Sequence, residues 1–70
     1  MYVIQIITDA SEYGVNINVE GDRQAYEKLA EIASHYIQQA IGSDRFHGEL
    51  KLVFIDEMAT VRPMRTLVIG

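Results

Sequence analysis

A single long amphipathic segment, standing alone between two pairs of strand-like runs, limits what this chain can fold into more than any other feature. From Asp22 to Ile41 no proline intervenes. Plotted at about 100° per residue, Tyr26, Leu29, Ala30, Ala33, Tyr36, Ile37, Ala40 and Ile41 fall on one side. Gln24, Glu27, Lys28, Glu31, Ser34, His35, Gln38 and Gln39 fall on the other. The spacing predicts one helix about 30 Å long. Asp22 is placed to cap its first turn and Gly42 to end it in the left-handed conformation. Ala25 and Ile32 widen the apolar arc beyond what one sheet face needs, which makes the helix flank a candidate contact.

The runs on either side alternate as strands do. Tyr2 to Thr8 is apolar on both alternations, with Ile4 and Ile6 on one face and Val3 and Ile7 on the other, as a central strand requires. Residues 9 to 14 read as a polar turn holding Tyr13. Val15, Ile17 and Val19 then alternate with Asn16, Asn18 and Glu20 in a half-wet edge strand. After the helix, Glu49 to Asp56 is again apolar on both faces, with Leu50, Leu52 and Phe54 opposed to Val53 and Ile55. A last strand runs over Thr60 to Arg62 and Thr66 to Ile69. It is interrupted at Pro63, whose missing N–H confines it to an edge or a bulge.

These elements specify an α+β fold of ββαββ order, a four-stranded antiparallel sheet with the first and third strands central and the one helix on one face. One helix about 10 Å across covers only part of four strands spaced about 4.8 Å apart. The other face carries Val3, Ile7, Val53 and Ile55 and is expected to need a cover. Together with Tyr13 and Ile32 these residues form the expected partner-binding set, the partner being a second copy or another protein.

Composition narrows the function. Seventy residues make one domain, with a core too small to supply more than roughly 3–5 kcal/mol, and no cysteine is present to staple it or to hold zinc. Self-association, as a homodimer, is the remaining common reinforcement. Ten acidic against six basic residues give a formal charge of −4. Such a charge repels phosphate backbones, so nucleic acid is not expected as a partner, whereas a basic protein is. No run approaches the roughly 20 apolar residues of a membrane span, and the N-terminus has no secretory pattern; a cytoplasmic chain with no membrane contact is expected.

Little here points to chemistry. Ser11, Ser34 and Ser43, with only His35 and His47 as bases, make no nucleophile constellation. Arg45, Phe46 and His47 form a mixed aromatic and cationic loop suited to a carboxylate or phosphate group, yet only Gly42 and Gly48 flank it. Asp9 with Glu12, and Asp56 with Glu57, make an acidic patch if the two hairpin tips lie at one end, but too few oxygens for calcium. Arg62 and Arg65 bracket Pro63 and serve either to clasp an acidic partner or to protect a sheet edge. Neither a metal nor any other cofactor is expected.

The run GDRQAYEKLAEIASHYIQQAIG, followed by a loop ending in FHGEL and by a final TLVI strand, resembles the small immunity proteins of bacterial polymorphic-toxin systems from Gly21 to Ile69. The resemblance implies a protein that binds and neutralises a toxin, and transfers no site residue. The expected function is accordingly a non-enzymatic protein-binding or inhibitory module, immunity-protein-like or of phage type. The alternatives are a small enzyme or ligand-binding domain with its site at a homodimer interface, and a structural subunit of a larger assembly. A tautomerase of this size needs a mature N-terminal proline, where this chain has Tyr2.

Overall fold

The computed structural model describes residues 1–43 and 47–70, with side chains up to residue 39 and again from residue 47. Its elements run β1 (Tyr2–Thr8), β2 (Glu12–Ile17), α1 (Asp22–Ser43), β3 (Gly48–Ile55) and β4 (Val61–Ile69). The four strands form one sheet in the order β2-β1-β3-β4, every neighbour pair antiparallel. This is the ββαββ arrangement expected from the sequence, with the two strands that are apolar on both faces at the centre.

The core lies between α1 and the two central strands. Register sets Ile4 beside Leu52 and Ile6 beside Leu50. Ile4, Leu50 and Leu52 are 0% exposed, and Ala25, Leu29 and Ala33 close over them from the helix. Two alanines let the helix lie close to the sheet while Leu29 fills the space between them, the large-against-small alternation that dense packing favours. The buried arc is therefore not the one drawn from the sequence. It is centred on Ala25, Leu29 and Ile32, whereas Tyr26, Ala30 and Ile37 are exposed. An apolar arc roughly 180° wide offers several equivalent centres, and only the sheet chooses among them.

Three local expectations are corrected. The first turn is confined to residues 9–11, because the Thr8 hydroxyl accepts the N–H groups of Ala10 and Ser11 at 3.3 and 3.0 Å while Thr8 N–H donates to the Ser11 carbonyl at 2.7 Å. This tight closure lets β2 begin at Glu12, so Tyr13 is a strand residue. Asp22 is the first helical residue and caps nothing; its carboxylate accepts the Tyr2 hydroxyl at 2.6 Å. The helix instead starts at Gly21, whose φ is +113° and whose carbonyl takes the Ala25 N–H, while the Gln24 side chain accepts the Glu20 N–H at 2.9 Å. Gly42 lies inside α1, which continues to Ser43.

Pro63 sits on an edge strand as required, and β4 passes it without a break by way of a bulge between the pairs Leu52–Arg65 and Val53–Pro63. Gly48 is held between two strands so tightly that a Cβ there would collide with the Ile7 carbonyl oxygen. Both hairpins close on side-chain oxygens. In the second, Asp56 Oδ1 accepts the N–H groups of Met58 and Thr60, each at 2.9 Å.

Candidate partner-binding surface

The pairing registers decide what each side of the sheet presents. On the face away from α1, Val3 lies beside Val53 and Ile55 beside Val61. The next row is Gln5 with Lys51 and Thr66, and only beyond it come Ile7, Glu49 and Val68. A polar row thus divides the expected cluster of Val3, Ile7, Val53 and Ile55, with Ile7 at one end and the other three at the opposite end. Val3 and Val53 are 8% and 4% exposed, so the side chains around them already cover them. Ile7 and Ile55 are half-buried. A strand can alternate faithfully and still interleave polar and apolar rows with its neighbours, a pattern fixed by register alone.

The second surface is a groove of about 510 Å³ between α1 and β2. Val15 and Ile32 form its apolar wall, and Tyr13, Tyr36, His35 and Glu31 stand along its rim. Alternation sets Tyr13 and Val15 on the same side of β2 as buried Ile17. The Tyr13 and Tyr36 hydroxyls hydrogen-bond each other, and the His35 ring meets Tyr36 edge-on, centroids 5.9 Å apart. His35 also hydrogen-bonds Gln39 through ring nitrogen at 3.2 Å. The bond from Tyr13, reinforced by partial burial, pushes the Tyr36 hydroxyl up to about 12. A phenol held there is neither an acid nor a base near neutrality, so the pair works as a fixed hydrogen-bonding post. Tyr2 is raised too, chiefly because the Asp22 carboxylate holds its proton.

The third surface is the flank of α1 turned away from this groove. Tyr26 and Ile37 are 39% and 46% exposed, with exposed Ala30 between them. Met64 and Leu67 of β4, on the same side of the sheet, are only partly buried against the core.

The residues singled out in the sequence are not brought together. Ile32 packs against the core and lines the groove, as Tyr13 does, whereas Val3, Ile7, Val53 and Ile55 lie on the other face. Arg45 and Phe46 lie outside the described residues. His47 is exposed and borders a shallow recess of about 480 Å³ shared with Asp9, Glu49 and Lys51. The acidic pairs do not join into one patch. Antiparallel pairing of β1 with β3 sends the two hairpin tips to opposite ends of the sheet, and Asp56 is engaged in its own turn and with Arg62 at 3.7 Å.

Sequence reasoning missed the groove, although Tyr36 does pack against the core and His35 is exposed, as expected. The signal was present: if β2 starts at Glu12, Tyr13 joins the Val15 and Ile17 alternation and faces the helix. Among the described residues no three His, Cys, Asp or Glu side chains gather closely enough for a metal ion, and no helix is long and apolar enough to cross a membrane. No protein-family model, curated protein or solved structure matches this chain.

Proposed function

We propose that this chain is a non-enzymatic protein-binding module of inhibitory type, whose partner docks on the exposed flank of α1. The observation that carries this reading is the mismatch between the helix and the sheet beneath it. The apolar arc of α1 is wider than the sheet covers, and Tyr26, Ala30 and Ile37 are left in solvent. A tyrosine and a branched aliphatic residue, partly exposed and one helical face apart from the core, are the kind of anchor that partner binding uses. The overall charge of −4 favours a basic partner, through faster encounter more than through tighter holding.

Immobilised wild-type chain is expected to retain a basic protein from an extract of its native host, and the double variant Tyr26→Asp, Ile37→Asp to lose it while keeping its circular dichroism spectrum. Equal retention by both proteins assigns the binding to another surface. Retention of nothing by either overturns the reading.

A further inference from the structure

We infer that β2 accepts an extended, basic segment of another protein as a fifth strand, the apolar side chains of that segment entering the groove between β2 and α1. The sheet ends at β2 on one side and at β4 on the other, and the two edges are built differently. The β4 edge carries Pro63, a bulge and two arginines, Arg62 and Arg65, which are devices that prevent a sheet edge from pairing with other chains. No proline, bulge or cation interrupts β2.

Hydrogen bonding fixes which groups of β2 are open. Met1 and Ile55 exchange both backbone bonds, at 2.9 and 2.8 Å, so Val3, Gln5 and Ile7 direct theirs to β3 and the residues between them direct theirs to β2. Thr8 agrees, since its N–H reaches the Ser11 carbonyl at 2.7 Å. Carried through the register, Tyr13, Val15 and Ile17 bond inward to β1, and Glu12, Gly14 and Asn16 turn their N–H and C=O groups outward. Among the described residues no strand pairs with that outward row.

Side chains and charge define the occupant. A strand added to β2 sets every second side chain on the helix side, against the apolar wall of Ile6, Val15 and Ile32, and the others on the open face beside Glu12. Residues 9–20 carry Asp9, Glu12 and Glu20 and no cation. Glu31 adds a carboxylate at the groove rim, 71% exposed and only loosely paired with Lys28 at 3.5 Å. A segment that alternates apolar residues with lysine or arginine matches both sides, its charge complementing the acidic edge. The chain's own outer strands match less well: a second β2 would bring a further acidic strand, and β4 arrives with Pro63 and its bulge.

The probe is a fluorescently labelled heptapeptide, Lys-Val-Lys-Val-Lys-Val-Lys, titrated with the chain and read by anisotropy. Saturable binding is expected, weakened roughly tenfold when Glu12→Lys and Glu31→Lys are combined, both at exposed positions, or when glutamates replace the lysines of the probe. In an antiparallel pair the lysine nitrogens face β2 and the valine nitrogens face away. Methylating the inner lysine nitrogens should therefore cost about tenfold in affinity, and methylating the valine nitrogens should leave it unchanged. By nuclear magnetic resonance, the peptide should slow amide exchange at Gly14 and Asn16 far more than at Tyr13 and Val15, which β1 already protects. Absence of binding, or equal effects of the two methylated probes, overturns the inference. So does a chain whose mass in light scattering rises with concentration without peptide and returns to a single-chain mass with Asn16→Pro, because a second copy then holds the edge. The variant Tyr26→Asp, Ile37→Asp should bind the probe as wild type does. Loss of the probe there would assign it to the flank of α1 and overturn the inference, so this edge and the proposed docking surface stand or fall separately.

Discussion

The two faces of this sheet are built from the same central strands, yet they are packed differently. On the helix side, successive rows of β1 and β3 are apolar without interruption: Tyr2 with Phe54, Ile4 with Leu52, Ile6 with Leu50. The open side alternates Val3 and Val53 with Gln5 and Lys51, then Ile7 with Glu49. The first pattern demands a second layer and receives α1. On the second, Val3 and Val53 are covered by the side chains around them, while Val61 and Val68 at its edge stay 54% and 76% exposed. An apolar residue on an uncovered face is thus no evidence of a partner until its row and its neighbours are known.

Core truncation should separate the faces most sharply. Leu52→Ala, beneath the helix, is expected to cost about 2–5 kcal/mol and so to remove most of the stability of a domain this small. Val53→Ala, one residue away on the other face, should cost roughly 1–2 kcal/mol. Chemical denaturation of both variants gives the comparison, and equal losses would show that the open face is covered as firmly as the core. A smaller effect is expected at the groove. The Tyr36 hydroxyl keeps its proton in the folded chain up to about 12, against 10.0 for an ordinary tyrosine. The unfolded chain therefore loses this proton first, and stability that is full below pH 10 should decline as pH rises toward 12. Spectrophotometric titration should show late tyrosinate formation that Tyr13→Phe moves in part to lower pH; an unchanged curve would mean that Tyr13 does not hold the Tyr36 proton. The least effect belongs to Val68→Thr, at a residue 76% exposed, where a change within about 0.5 kcal/mol is expected in the isolated chain.

Tyr2 illustrates why the binding surfaces were harder to read than the elements. Its apolar neighbours announce a central strand, but its hydroxyl meets Asp22, twenty residues away in sequence, and thereby takes from that aspartate the capping role its position suggested. Glu31, His35 and Tyr36 appear in the sequence as parts of a helix with a polar and an apolar side; only the arrival of β2 beneath them turns their edge into a groove.

Periodicity by itself determined the number, type and order of the elements, the central places of β1 and β3 and the edge position enforced by Pro63. Each of these follows from interactions between near neighbours in the chain, or from whether a strand is apolar on one face or both. Tertiary structure alone decided which part of the wide apolar arc of α1 is buried, how polar and apolar rows interleave on the open face, and that the two hairpin tips point to opposite ends. Those outcomes depend on which strands pair and in which direction, on register and on the seating of the helix, which hydrogen bonds and close packing between distant residues set and which no local pattern encodes.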